Sequence, residues 1–224
     1  MGSPFARGSE STILIASAVM AMVAWLQAKL PKPIGFPLLL LTLPLWGLIL
    51  YFFRDPERPS PPGEELILSP ADGRVVAIEP VDEPLFVEGP AVRISIFMSI
   101  WDVHVNRSPV SGEVKLIRHV PGQFLQAFRP EASDVNEHNL VGIQYQEQRV
   151  LVKQIAGILA RRCVSFAVVG EHLERGQRFG LIRFSSRVDT FLPPDVQVHV
   201  QVGDSVQSGR SILAQWPPSR EKTR

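Results

Sequence analysis

Cysteine is all but missing. Cys163 is the one thiol in 224 residues, which excludes an internal disulfide framework and a multi-thiolate metal site. A surplus of charge is missing too: 23 Lys and Arg stand against 22 Asp and Glu, a net +1. Nucleic-acid binders carry a basic excess, so no nucleic-acid partner is expected. The five histidines, His104, His119, His138, His172 and His199, show no H-E-x-x-H or other paired spacing. No zinc hydrolase and no metal site follow from them. There is no G-x-S-x-G elbow, no phosphate-binding G-x-x-x-x-G-K-S/T loop and no G-x-G-x-x-G after a strand. The common nucleophile and cofactor signatures are therefore absent.

Apolar residues and turn formers are abundant. Twenty Pro and 16 Gly argue for many turns and against a helical bundle. Mean hydropathy is +0.10 despite 20% charged residues, because the apolar excess sits at the front. Residues 11–28 and 33–53 carry no charge, in runs of 18 and 21 residues. A helix needs about 20 apolar residues to cross the hydrocarbon core. Trp25, Trp46 and Tyr51 lie near the run ends, where aromatic belts form. Pro31, Pro33 and Pro37 are expected to break the helix between the runs, giving a hairpin, and Pro44 to kink the second run. A signal peptide fits less well, since no small-residue cleavage site precedes Lys29 and a second run follows at once. Residues 1–53 are thus expected to form a membrane-associated helical hairpin, with both termini on one side if it spans twice.

Residues 54–64 are polar and Pro-rich, as in an extended linker. From residue 65 to 224, short Val-, Ile- and Phe-rich runs alternate with Gly and Pro. The expected fold is mostly β, an antiparallel barrel or sandwich behind the hairpin. Residues 122–139 lack the alternation and are read as a short helix or a loop over a site, with Leu125 and Phe128 facing lipid. Gly170-Glu-His-Leu-Glu-Arg-Gly176 and Gly203-Asp-Ser-Val-Gln-Ser-Gly209 echo each other. Such turns occur in biotinyl- and lipoyl-like sandwiches, and two similar hairpin turns are an equal alternative. No lysine sits at either turn, which disfavours a swinging-arm carrier.

Three segments stand out. In Ser69-Pro-Ala-Asp72-Gly73, an Asp-Gly follows an apolar strand, ordinarily a turn. In the segment from Trp101 to Pro109, Asp102, His104 and Asn106 share one strand face, either a wet polar face or the edge of a site. Gly180-Leu-Ile-Arg-Phe-Ser185-Ser186-Arg187 places two hydroxyls after an apolar strand.

These segments, with Phe52-Phe-Arg-Asp-Pro-Glu-Arg58, Pro121-Gly-Gln-Phe124 and Asn136-Glu-His-Asn139, occur in an order that resembles the phosphatidylserine decarboxylase family. The likeness is to its short form with an N-terminal hydrophobic segment. Each motif is weak alone, and the ordered set is specific. The resemblance implies a pyruvoyl cofactor made from the chain itself by cleavage between Ser185 and Ser186, with Ser186 becoming the pyruvoyl. Large and small chains, residues 1–185 and 186–224, would stay together. The Ser186 hydroxyl would attack the carbonyl of residue 185, and elimination with loss of ammonia would follow. A serine hydroxyl needs a base. Asp72 orienting His104 is the expected pair, and His104 is also the candidate proton donor in turnover. Phosphatidylserine would form a Schiff base with the pyruvoyl group, lose CO2 and leave as phosphatidylethanolamine.

Arg107 and Arg187 are candidates to contact the lipid phosphate, against the ordinary role of a solvated surface arginine. Membrane lipid is the other expected partner, the cell membrane the expected location, and a homo-oligomer is left open. One position departs from the pattern: Ser185 stands where the family has glycine, which puts the activity of this chain in question. A decarboxylase of another amino-acid head group, or a non-enzymatic membrane-anchored β-sandwich, are the alternatives. The hairpin counts against the first and the ordered motifs against the second.

Overall fold

The computed structural model describes residues 3–129, 131–158, 163–183 and 186–217. The chain forms two compact units, Met1–Glu57 and Arg58–Arg224.

The first unit is a pair of helices, α1 (Glu10–Gln27) and α2 (Lys32–Phe52). Both are long and apolar enough to cross a membrane, and 6% of each apolar window is buried. The break between them is confined to residues 28–31. Pro31 caps α2, Pro33 sits in its first turn, and the helix runs on through Pro37 and Pro44. Pro37 was expected to end the break and instead lies inside the helix. Pro33 lies in the first turn, where the N–H has no intrahelical partner to lose, whereas Pro37 and Pro44 each remove one i→i−4 bond from a helix that nonetheless continues. The two helices meet closely at the turn, where a Cβ on Gly35 would lie 2.6 Å from the Gln27 carbonyl. Further along, Trp46 Nε1 donates to Ser17 Oγ at 3.1 Å. Ala6 N donates to Phe53 O and Asp55 N to Pro4 O, both at 2.8 Å, so the two ends of the hairpin are tied together.

The second unit is mostly β. Its first half holds β1 (Leu66–Leu68), β2 (Gly73–Glu83), β3 (Gly89–Met98), β4 (Val105–Arg107), β5 (Gly112–Val120), the short helix α3 (Ala132–Val135) and β6 (His138–Tyr145). The second half holds β7 (Gln148–Ile155), β8 (Cys163–Ser165), β9 (His172–Leu173), β10 (Arg178–Ile182), β11 (Ser186–Leu192), β12 (Gln197–Val198), β13 (Ser205–Val206) and β14 (Ile212–Gln215). Eight strands form one curled antiparallel sheet, a half-barrel, in the order β13-β2-β3-β11-β7-β6-β5-β9. Two three-stranded sheets, β4-β10-β8 and β1-β14-β12, accompany it. One sheet face carries the main core, including Ile94, Ile96, Met98, Val141, Val152 and Val188. A smaller cluster of Phe86, Ala91, Leu140, Leu151 and Phe191 forms a second core.

The echoed turns become β9 and β13, the two edges of the eight-stranded sheet. Each ends on a glycine with positive φ, Gly176 at +80° and Gly209 at +71°. The sheet curls until these turns meet: a Cβ on Gly209 would lie 3.6 Å from the Gly176 Cα. The echo is thus a pair of similar edge strands with glycine turns rather than two hairpins, since β9 pairs with β5 and β13 with β2.

Candidate active site

Ser186 is the first residue of β11, the strand that lies between β3 and β7 near the middle of the half-barrel. It pairs with Met98, the last residue of β3. Its side chain is fully buried, and Oγ donates to Met98 Sδ at 3.3 Å. A thioether is a weak acceptor, so the hydroxyl is held without being strongly engaged. Ser185, on the other side of the expected cleavage, lies outside the described residues.

Asp72 reaches the same end of the sheet from the other flank of β3. Arg74 and Arg187 both pair with Phe97, so Asp72-Gly73 and Ser186 are next to the last residues of β3 on opposite sides. Adjacent strands are about 4.8 Å apart, which puts these two backbones about 10 Å from each other. Glycine is required at 73: φ is +142° and a Cβ would lie 2.1 Å from the Phe97 carbonyl. The Asp72 carboxylate is bound by two groups through three hydrogen bonds. Arg58 grips both oxygens, with Nη2 to Oδ2 at 2.8 Å, and Ser208 N donates to Oδ1 at 2.8 Å.

His104 is fully buried just before β4. Its carbonyl accepts from Ile182 N at 3.2 Å, and Ile182 is four residues before Ser186 in the chain. His104 Nδ1 contacts the Asp102 carbonyl at 2.9 Å. A carbonyl only accepts, so Nδ1 carries a proton at this contact. The expected orienter was the Asp72 carboxylate. At Nδ1 that part is taken by main chain, because the 99–102 turn folds its carbonyl back onto the ring. Asp102 itself closes that turn, accepting from Ser99 N at 2.8 Å and Ser99 Oγ at 2.7 Å.

The turn of Asp72 and strand β4 are tied together. Pro70 O accepts from Arg107 N at 3.0 Å and from Asn106 Nδ2 at 3.3 Å. Asn106 is fully buried, and its Oδ1 accepts from Gln154 Nε2 at 2.7 Å. Asp102, His104 and Asn106 therefore do not form a wet face; the last two line the interior. Gly180 is glycine for a related reason: a Cβ there would lie 2.6 Å from both Gln154 Nε2 and the Val164 carbonyl.

Arg107 and Arg187, expected as phosphate contacts or as solvated surface groups, are buried at 4% and 3% exposure. Arg107 lies between the echoed turns, with Nη1 donating to Gly176 O at 3.2 Å. Arg187 donates through Nε to Asp189 Oδ1 at 2.6 Å and through Nη2 to Ser95 Oγ at 2.8 Å. Ser133 of α3 donates to the other Asp189 oxygen at 2.7 Å. Both arginines thus have internal partners, and burial of each cation is matched by acceptors. Lys153 pairs with Asp189 across β7 and β11. Burial pushes its ammonium below the usual lysine range, and Asp189 and Asp134 oppose that shift.

Arg58, Ser133, Gln154, Asp189 and Ser208 complete this region without having been singled out from the sequence. Arg58 ended one quoted motif, Asn139, which donates to Gln154 Oε1 at 3.4 Å, ended another, and Asp189 lies two residues past the Ser185-Ser186-Arg187 segment. Gln154 and Ser208 carry no local signal, since their partners are 48 and 136 residues away. Among the described residues no group of three or more His, Cys, Asp or Glu is placed to hold a metal.

Fold and site define an apolar helical hairpin, each helix long enough to cross a membrane, joined to a β half-barrel. A buried serine opens one central strand, and the same unit holds a buried histidine and an ion-paired aspartate. The chain belongs to the phosphatidylserine decarboxylase family, which makes it a carboxy-lyase of the proenzyme kind: that family's sequence profile matches residues 45–214. A phosphatidylserine decarboxylase proenzyme of Symbiobacterium thermophilum is 50% identical over 170 residues, 75% of this chain and 79% of the relative. Proenzymes of the same name from Nitrosomonas eutropha and Nitrosomonas europaea are 44% and 42% identical over 219 residues, 96% of this chain and 93% of each relative.

Proposed function

We propose that the chain cleaves itself between Ser185 and Ser186, and then decarboxylates phosphatidylserine to phosphatidylethanolamine and CO2. The observation that carries this is the position of Ser186, buried at the entry of β11 with histidine and aspartate at the same sheet end.

The residues fit a pyruvoyl group at 186. β11 is hydrogen-bonded to β3 from residue 186 through 192 and to β7 from 187 through 191. A chain starting at 186 would therefore keep its N-terminal end in the sheet. Both neighbours of that end are apolar or neutral: Met98 beside it and Val188 on the same face. The pyruvoyl group supplies a ketone that takes an amine substrate and an electron sink for the departing carboxylate.

The protein's own groups do the rest. Ser186 Oγ attacks the preceding carbonyl and gives its proton to a base. His104 is that base in our reading, its tautomer set by the Asp102 carbonyl so that Nε2 accepts. In turnover the same nitrogen returns a proton to the carbon that loses CO2. Asp72 is a positioning residue. Its clamp by Arg58 and Ser208 holds the turn whose Pro70 carbonyl fixes β4, and β4 fixes His104. The helical hairpin anchors the enzyme in the cell membrane, where its substrate is.

Intact mass of the purified protein tests the cleavage. We expect two chains split before Ser186, the smaller of 39 residues with a blocked N-terminus, and one uncut chain for Ser186→Ala. Ser185→Gly should cut at least as fast, because glycine relieves backbone constraint at the scissile bond. A single uncut chain in both the natural protein and Ser185→Gly would sink the proposal. CO2 release from phosphatidylserine but not from free serine tests the substrate.

A further inference from the structure

The strand ends around Ser186 share one rim of the half-barrel: the end of β3, the start of β11, the end of β7, the start of β6 and the end of β5. The loops leaving that rim expose large apolar side chains. Trp101 is 61% exposed, Phe128 58% and Ile158 50%, with Phe124 and Val135 also exposed. They come from three separate loops, at 99–104, 121–137 and after Ile155.

The central loop is built rather than slack. Gln123 N donates to Val135 O at 2.7 Å and Glu137 N to Gln123 O at 2.9 Å, closing its base. Inside it, Asn136 donates to Leu125 O at 2.9 Å and Ala156 O at 2.7 Å, and accepts from Leu125 N at 2.9 Å. Ser133 fastens it to Asp189, two residues beyond Arg187. Phe128 stands edge-on to Phe97 of β3, 6.3 Å between ring centres. A hydrogen-bonded loop that fixes phenylalanines outward spends order on exposed apolar surface, which marks a contact surface.

We propose that this rim dips into the surface of a phospholipid bilayer and brings the Ser186 site to the headgroup layer. It rests on the reading that the substrate is a membrane lipid. Two observations favour a bilayer as the occupant. The exposed apolar groups are Trp, Phe and aliphatic side chains, residue types that settle at membrane interfaces, and the same loop also exposes Arg129, Glu131 and Asp134, so the contact would be apolar rather than one of charge. The apolar side chains surround the strand ends that carry the serine, so a lipid headgroup reaching the site passes between them.

The buried Cys163 makes a direct test simple. Burial pushes its thiol far above the usual cysteine range, leaving it unreactive. Phe128→Cys in the full chain then offers one reactive thiol for a fluorescent label. Leu85→Cys, on the β2–β3 turn at the opposite end, serves as the control. In vesicles of phosphatidylcholine and phosphatidylserine, the label at 128 should be quenched by spin-labelled lipid and shielded from iodide. The label at 85 should show the reverse. Iodide quenching at 128 equal to that at 85 overturns the proposal. So does shielding from both quenchers that grows with protein density, which would mean a second copy covers the rim.

Activity gives a second readout. Phe128→Ser should lower kcat/KM about tenfold on vesicle phosphatidylserine, the effect of one partly buried aromatic. It should leave the rate on a soluble short-chain phosphatidylserine unchanged. Equal loss on both substrates, or none on either, counts against the rim. No decarboxylation of any phosphatidylserine by the natural protein defeats the functional reading instead, and the quenching result stands apart from it.

Discussion

Two arginines that look alike in the sequence owe their burial to different partners. Arg107 fills the junction of two turns, while Arg187 closes an ion pair with Asp189 inside the sheet. Asp189 is fully buried and Arg187 nearly so. Removing one partner of such a pair leaves an uncompensated charge, which costs about 3–5 kcal/mol. Asp189→Asn keeps the shape and loses the charge. We expect it to lower Tm in detergent by roughly 6–12 °C, taking about 3 kcal/mol and the usual slope for a chain of this size. Cutting before Ser186 should slow as well, because Arg187 is the next residue. An unchanged melting curve would mean Ser95 alone satisfies the guanidinium.

His138, at the start of β6, responds to pH. Burial lowers its pKa below 6.5, while the hydrogen bond from Nδ1 to Asn136 O, at 2.7 Å, opposes the shift. The unfolded chain therefore takes up a proton first as pH falls. The stability this residue contributes is complete above about pH 6.5 and is lost as pH drops toward the folded-state value. His138→Gln can still donate to Asn136 O and does not titrate. Its Tm should fall less than that of the natural protein between pH 7.5 and 5. Identical slopes would remove His138 from the acid response. Ser186, His104 and Asp72 were legible as motif residues. Their partners were not: Arg58, Ser208 and Gln154 reach the site only through pairings 14 to 136 residues apart in the chain.

At the scale of elements, local chemistry carried most of the fold. Alternating apolar residues marked the long strands, and the two uncharged runs marked the helices almost to their ends. Strand order did not follow, because placing β9 and β13 at opposite edges depends on non-local pairing. β11 was read only as part of one β-rich run over residues 180–193, undivided from β10. Every one of its residues is buried, with Ser186, Val188 and Leu192 on one face and Arg187 and Asp189 on the other. Two-sided burial erases the polar alternation that reveals a strand. The 121–137 loop was foreseen as irregular, but not its closure. Gly122 is decisive there, since a Cβ would sit 2.5 Å from the Asn136 carbonyl carbon, the Glu137 nitrogen and the Val135 oxygen. All three are backbone atoms that cannot swing aside. Gly122→Ala should cost about 1–3 kcal/mol, the usual range for overpacking. Amide exchange should speed up at Gln123 and Glu137 while the β3–β11 ladder stays protected. Unaltered exchange in the loop would show that the backbone accommodates the methyl group.

For the whole molecule, a mean hydropathy of +0.10 averages two unlike parts. One is a helix pair whose apolar windows are 94% outside the buried set; the other is a half-barrel with its own cores. Net charge is +1, so attraction to anionic lipid would be weak, and membrane attachment through the two apolar helices, as proposed, would rest on apolar contact. Salt screens charge and leaves that contact intact. We therefore expect 1 M salt to leave the full chain on isolated membranes and detergent to release it. The rim around Ser186 is a lesser contact. Its few side chains, each contributing about 1–2 kcal/mol when partly inserted, stand against roughly 4–15 kcal/mol of association cost. A chain starting at Arg58 should thus remain mostly in the supernatant when membranes are sedimented, and the full chain should pellet. Equal pelleting of the two would transfer the anchoring role from the hairpin to the rim.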